Sequence, residues 1–250
     1  MNGDPLPFLS SSLPTETLLV LAAGALAAST LSGTFGVGGG SLLLLVLTHA
    51  LGPVAAVPVL TLTQLLANGS RAALGWRELA WRPALRFVAG AVPGVLVGVE
   101  VLTHLPADDV ARVAGGAILL GLGAKSVAGR DWKPPFVLLG ALTGLVSAVA
   151  GIAGPFTAVA FWQLGLPPLA FIASEALAVG GVHLIKSVAY SRIDLLTDET
   201  LRIGLLLGAV SMLGSWLGRR IAGRLPTRVF KRVVAAFLVA AALQLLVFGA

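Results

Sequence analysis

The sequence predicts an all-α integral membrane protein built from two related halves that lie in opposite orientations in the bilayer. Three observations predict this fold: the composition, a repeated order of glycine-interrupted apolar segments, and the distribution of charge between those segments. Hydrophobic residues make up 57% of the 250 residues and charged residues only 11%. A soluble domain carries roughly 25% charged residues to cover its surface, so the composition excludes one.

The net charge of +6 does not indicate a nucleic-acid partner, because the basic residues lie between apolar segments rather than along one face. Cytoplasmic loops of membrane proteins are enriched in Lys and Arg, which accounts for the excess. The chain has no cysteine, so disulfide and thiolate chemistry are excluded. We expect no cofactor and no bound metal ion.

Several apolar segments approach the roughly 20 residues that a helix needs to span a membrane. The segments cover residues 17–34, 41–51, 54–74, 84–104, 109–128, 135–150, 155–165, 167–190, 201–222 and 229–249. Segments 41–51 and 155–165 are too short to span alone, and each follows a glycine-rich break, at 36–40 and 151–155. A broken helix or a re-entrant hairpin is expected at both places.

The two breaks reveal an internal repeat. Gly36 and Gly39 match Gly151 and Gly154 at a constant offset of 115 residues, and the same order of long and short apolar segments follows each pair. We therefore divide the chain into a tail (1–16), a first membrane repeat (17–128), a linker (129–134) and a second repeat (135–250).

Charge gives the relative orientation of the repeats. The loop within 71–86 is strongly basic, whereas its counterpart within 186–202 has balanced charge. In the next pair of loops the contrast is reversed: the loop of the first half, within 108–112, is not basic, whereas that of the second half, within 219–232, is strongly basic. Basic loops stay cytoplasmic, so equivalent loops fall on opposite sides, which predicts an inverted repeat with both termini extracytoplasmic. Each half then has an odd number of crossings, either three plus a hairpin or five, and the sequence leaves both open.

The glycine breaks are expected to bind an anion. The start of a helix carries free N–H groups and a partial positive charge, and half-helices near the middle of the membrane present them to anionic substrates in transporters. The predicted substrate-binding residues are Gly36, Gly38, Gly39, Gly40, Ser41, Gln64, Asn68, Arg71, Gly151, Gly154, Thr157, His183 and Lys186. Small residues also let membrane helices pack closely, and we assign only that role to Gly90, Gly94, Gly98, Gly140 and Gly144.

Polar residues form a stripe on the helix that follows each short segment. Gln64, Asn68 and Arg71 share one face, and His183 and Lys186 occupy the positions that correspond to Asn68 and Arg71 in the second half, with Glu175 further back. Buried ionisable residues in membranes mark substrate or proton pathways. The two cations can neutralise an anion, while Glu175 and His183 are candidates for proton coupling. Alternatively, Arg71 and Lys186 extend to the lipid–water interface.

At these residues the chain resembles the sulfite exporter TauE/SafE family of anion permeases. The segment 36–40 matches the family's GxGGG break, 151–155 is a degenerate copy with alanine and proline at two glycine positions, and leucines at 44–46 replace a proline that usually follows the first break. The resemblance extends from about residue 17 to 248. It implies transport of sulfite, a sulfonate such as sulfoacetate, or a related small anion across a bacterial inner membrane.

The sequence thus favours a secondary transporter that moves a small sulfur oxyanion by alternating access, with proton or sodium coupling open and the oligomeric state undetermined. An intramembrane enzyme acting on a lipid phosphate is the alternative, since such enzymes also use re-entrant helices. That chemistry needs a dense catalytic cluster, which the sequence does not display. A non-transporting scaffold would leave the two polar stripes unexplained.

Overall fold

The computed structural model describes residues 13–101, 135–151 and 153–248, and all regular elements in these ranges are α-helices. The helices are α1 (Thr15–Phe35), α2 (Gly39–Leu74), α3 (Trp81–Val101), α4 (Phe136–Ala150), α5 (Gly154–Trp162), α6 (Pro168–Ser191), α7 (Asp198–Ala222) and α8 (Thr227–Phe248). The predicted segment 109–128, the linker 129–134 and most of the tail lie outside the described residues.

Four of these helices are long and apolar enough to cross a membrane: α1, α3, α6 and α7. Their outer faces expose large aliphatic side chains to the surroundings, where contact with lipid is favourable and contact with water is not; examples are Leu19, Leu96, Leu184, Leu205 and Leu213. The chain is therefore an integral membrane protein, as its composition predicts.

Both predicted interruptions are present. Helix α1 ends at Phe35 and α2 begins at Gly39, while α4 ends at Ala150 and α5 begins at Gly154. The backbone of α2 is interrupted again at Gly52 (φ 77°, ψ 162°), so its first part covers only 39–51. At about 1.5 Å per residue, this part and the nine-residue α5 are each shorter than the roughly 30 Å hydrocarbon core. The prediction of two short helices after the breaks is confirmed.

Small residues bring two pairs of helices into close contact, α1 with α7 and α3 with α4. A β-carbon at Gly90 would overlap the carbonyl oxygen of Val137, and one at Gly94 would overlap that of Ala141. Gly140 meets the Phe87 carbonyl in the same way. For these three of the five glycines, the predicted packing role is confirmed.

Helices α2 and α6 contact each other and bring the two polar stripes together. They pack closely at Asn68, where a β-carbon at Gly180 would lie 3.3 Å from the Asn68 Cβ. Because Gly180 of α6 has no side chain to separate the two helices at this point, the polar face of α2 packs against the polar face of α6, and Arg71 meets Glu175.

Candidate functional site

Each of the helices α1 and α4 ends in the same backbone conformation. Gly36 (φ 79°) and Gly151 (φ 74°) adopt the left-handed conformation that glycine tolerates best, and their N–H groups donate to the carbonyls of Ser32 and Ser147 at 2.7 and 3.1 Å. The chain then turns sharply and starts α2 and α5. Neither short helix has a side-chain cap at its N-terminus. The backbone amides of these first turns therefore have no side-chain oxygen to satisfy them.

A cavity of about 40 Å³ lies where the two breaks meet the polar stripes. It is much smaller than the roughly 300–1,000 Å³ of a drug-sized ligand site, and fits a solute of a few heavy atoms. Most of the predicted substrate-binding and proton-coupling residues line it: Gly36, Gly38, Gly39, Gly40, Ser41, Gln64, Asn68, Arg71, Gly151, Gly154, Glu175 and His183.

Arg71 is the cation of this cavity. Its side chain is 4% exposed, so it does not extend to the interface. Its Nη1 donates to the Ser32 carbonyl at 3.0 Å, and its Nη2 donates to Asn68 Oδ1. Asn68 is held in turn, because its Nδ2 donates to the backbone carbonyl of Gln64 at 2.7 Å and to Gln64 Oε1 at 3.2 Å. The stripe on α2 thus orients the guanidinium group.

Glu175 lies opposite Arg71 on α6. Its Oε2 is 3.8 Å from Arg71 Nη1, and its side chain is 2% exposed. Three buried polar atoms in the cavity lining have no hydrogen-bond partner in the structure: Arg71 Nε, Glu175 Oε2 and His183 Nδ1. Buried polar groups are normally paired, so this cluster retains unused capacity to bind a polar solute.

Two predicted residues lie outside the cavity lining. Lys186 is fully buried, and its Nζ donates to the carbonyl and hydroxyl oxygens of Ser147 at 2.8 and 3.3 Å. The interface position considered for it is therefore wrong. The Thr157 hydroxyl donates at 3.1 Å to the carbonyl of Ala153, the residue that precedes its own helix. Both side chains donate to a backbone carbonyl next to the second break, and Lys186 also donates to the Ser147 hydroxyl.

The two cations make equivalent contacts but have different surroundings. Arg71 and Lys186 each reach back 39 residues to a serine carbonyl in the last turn of the helix that precedes a break. Cations stabilise the negative end of a helix, which explains both contacts. Arg71 also borders the cavity and faces a carboxylate, whereas Lys186 lies over the Tyr190 ring at 5.4 Å.

The glycines of the breaks also differ. A β-carbon at Gly39 would overlap the Ala28 carbonyl oxygen and lie 2.6 Å from Ser32 Oγ, so close packing requires glycine there. A β-carbon at Gly154 would have no atom within 4 Å, although Gly154 lines the cavity. Packing explains Gly39, but it does not explain Gly154.

Some lining residues were not predicted: Ser32, Val37, Leu44, Leu60, Ala153, Pro155 and Val179. Ser32 had a usable signal, since it precedes its break by one turn, as Ser147 does at the offset of 115. The leucines had none, because nothing in an apolar segment distinguishes a leucine that faces a cavity from one that faces lipid.

Comparison with known proteins identifies the family. The model of the sulfite exporter TauE/SafE family matches residues 20–245. A Cupriavidus necator protein described as a probable sulfite/organosulfonate exporter TauE is 31% identical over 128 residues, which are 48% of this chain and 50% of that protein. The alignment therefore spans about half the length of this relative, and no solved structure matches the chain significantly. Members of the family are transporters, so the alternative of an intramembrane enzyme is wrong. A match over nearly the whole chain shows that it belongs to the TauE/SafE sulfite exporter family of membrane transporters.

Proposed function

We propose that the chain is a secondary transporter that carries a small sulfur oxyanion, sulfite or a sulfonate, through the cavity between the two glycine breaks. The observation that carries this proposal is the position of Arg71, a buried guanidinium group with an unpartnered Nε beside two uncapped helix N-termini. Sulfite and organosulfonates are the substrates in the description of the Cupriavidus necator relative.

The chemistry of the cavity suits an oxyanion with several equivalent oxygens. A guanidinium group donates from a planar fork that matches such oxygens in pairs. Backbone amides at a helix start add donors without the cost of burying another charge. Glycine on both sides allows the anion to approach these amides closely. The small volume favours a compact anion or a compact anionic head group.

We further propose that the two halves form an inverted repeat, with 17–128 and 135–250 as its units, and that alternating access moves the halves against each other. Three pairs of corresponding features support it. If the two halves are interchanged, α1 corresponds to α4 and α7 corresponds to α3, so the contact of α1 with α7 is equivalent to the contact of α4 with α3. The hydrogen bond from Arg71 to Ser32 is equivalent in the same way to the one from Lys186 to Ser147. The left-handed glycines 36 and 151 correspond as well.

The proposed location is a bacterial inner membrane, with both termini extracytoplasmic. Arg219 Nη2 lies 2.8 Å from Glu78 Oε1. This ion pair joins the basic loop after α2 to the basic end of α7, and both are assigned to the cytoplasm.

Because the chain has no cysteine, single cysteine substitutions at the exposed positions Arg77 and Arg192 test this orientation directly. We expect a membrane-impermeant maleimide to label Arg192→Cys in intact cells, and Arg77→Cys only after the membrane is opened. Equal labelling of both in intact cells contradicts the inverted arrangement.

Transport is tested with the purified protein in liposomes, by exchange of labelled sulfite, methanesulfonate and sulfoacetate. Arg71→Lys keeps the positive charge but loses the planar pair of N–H donors of the guanidinium group. Hydrogen bonds to charged groups contribute about 1.5–3 kcal/mol. We therefore expect the variant to bind these anions roughly 10- to 100-fold more weakly. Arg86→Lys, at an exposed position of α3, is the matched control and should behave as wild type. If the wild-type protein exchanges none of the anions, the proposed function is refuted.

A further inference from the structure

Glu175 is the only buried carboxylate among the described residues. The buried ionisable side chains in those ranges are Arg71, Glu175, His183, Lys186 and Tyr190. An anion-binding cavity gains nothing from a permanent negative charge, because like charges repel most strongly where water is scarce. Helix packing does not require a carboxylate here either, since Leu60 occupies the equivalent position of the first half at the offset of 115 and lines the same cavity.

The surroundings of Glu175 identify the groups that set its charge. Helix α2 presents Arg71 to it, and α6 itself carries His183 two turns further and Lys186 beyond that. Helices α4 and α5 contain no ionisable residue, and α1 contains only Glu16, which is exposed. The charged residues of α3 and α7 are not buried. Arg71 is therefore the one cation in direct contact with Glu175 in this part of the chain.

An anion that enters the cavity must compete with Glu175 for Arg71. Two donors of Arg71 are committed to Ser32 and Asn68, and Nε is unpartnered. An oxyanion bound at Nε would share the guanidinium group with Glu175 Oε2, which lies 3.8 Å from Nη1 and also has no hydrogen-bond partner. If both stayed charged, two negative groups would share one guanidinium group inside the membrane. A proton on Glu175 removes this conflict and provides an O–H donor to the bound anion.

We propose that Glu175 binds one proton each time an anion binds, so that proton and anion cross the membrane together. The inference rests on the proposed transport function and assigns its coupling ion. On the side where the anion enters, a proton from water forms an O–H bond at Glu175, and Arg71 turns from the carboxylate to the anion. On the opposite side the anion leaves, the proton returns to water, and the Arg71–Glu175 pair forms again. For a singly charged anion, this cycle moves no net charge.

The test uses methanesulfonate, because its sulfonate group stays ionised across the working pH range, whereas sulfite itself titrates near neutrality. Liposomes containing the protein receive labelled methanesulfonate with the outside one pH unit more acidic than the inside. One-to-one coupling accumulates the anion inside about tenfold, since one pH unit corresponds to about 1.4 kcal/mol per proton. The steady-state ratio is the diagnostic quantity, because it depends on coupling and not on the rate of transport.

We expect a ratio of about ten for wild type, and for the matched control Glu78→Gln, whose carboxylate lies in the loop outside the cavity. Glu175→Gln should give a ratio of one, and Glu175→Asp should restore accumulation. A wild-type ratio of one with measurable methanesulfonate exchange overturns the coupling and leaves anion transport standing. Absence of exchange by wild type refutes the proposed function instead. Accumulation driven by a sodium gradient also overturns the inference. So does an accumulation ratio that falls to one in His183→Gln but stays near ten in Glu175→Gln.

A second measurement does not depend on the folding of any variant. Methanesulfonate is added to wild-type protein in weakly buffered detergent solution with a pH-sensitive dye. We expect uptake of about one proton per anion bound near neutral pH, as the one-to-one exchange at Glu175 requires. Binding without proton uptake overturns the inference.

Discussion

The Arg71–Glu175 pair allows a quantitative test of how the cavity is held together. At 3.8 Å and an effective dielectric constant of about 20, the Coulomb attraction between two unit charges is about 4 kcal/mol. Much of this offsets the cost of burying the charges, so the net contribution of the pair is smaller. Removing one partner is different, because the group that remains must then stay charged without compensation or, in the case of Glu175, take up a proton.

A double-mutant cycle separates these effects. Arg71→Met should lower the free energy of unfolding by about 3–5 kcal/mol, the usual cost of removing one partner of a buried ion pair. Glu175→Met should cost less, because Arg71 keeps its hydrogen bonds to Ser32 and Asn68. The double variant should recover much of the loss, since well-packed apolar side chains often replace a buried ion pair at little cost.

The cycle is measured by denaturant unfolding in detergent at one fixed pH, followed by the fluorescence of the five tryptophans. We expect a coupling energy of about 2–4 kcal/mol for a contacting buried pair. Single-variant effects that add within about 0.5 kcal/mol would show that the two charges do not interact, which would refute the reasoning. Anion protection gives an independent readout: at about 100 times its Kd, a bound anion stabilises the protein by about 2.7 kcal/mol. The double variant should fold but lose this protection.

Three further predictions concern the surroundings of the pair. Gly154→Ala places a methyl group in open cavity space. We therefore expect anion exchange to fall while the free energy of unfolding stays within about 1 kcal/mol of wild type. Gly39→Ala should instead destabilise the protein by about 1–3 kcal/mol, because its β-carbon meets the α1 backbone. If the two variants are equally stable, the packing argument is wrong. Lys186→Met should cost about 1–3 kcal/mol through the lost hydrogen bonds to the serine at the end of α4, with a smaller effect on anion affinity than Arg71→Lys; a larger effect would place the ammonium group in the site. Arg219→Ala removes a half-buried ion pair, so unfolding measurements should show a loss of about 1 kcal/mol or less, and a loss above about 3 kcal/mol would contradict this.

Much of this protein is determined locally along the chain. Too few charges to cover a soluble surface predict the membrane class, and each glycine break lies where a helix ends in a left-handed residue, because the conformations of Gly36 and Gly151 depend on the residue type itself. The stripe of Gln64, Asn68 and Arg71 also follows from the helical period alone. These features need no knowledge of which helices touch.

The partners of the cations depend on contacts between distant segments, and only the tertiary structure decides them. Arg71 and Lys186 occupy equivalent positions in the sequence, yet Arg71 borders the cavity and Lys186 does not. The difference arises because α2 packs against α6 with Gly180 beside Asn68, and this contact sets Arg71 against Glu175. Periodicity assigns a residue to one face of its own helix. The angle and position at which two helices pack are set by small side chains on both, and these decide which faces meet.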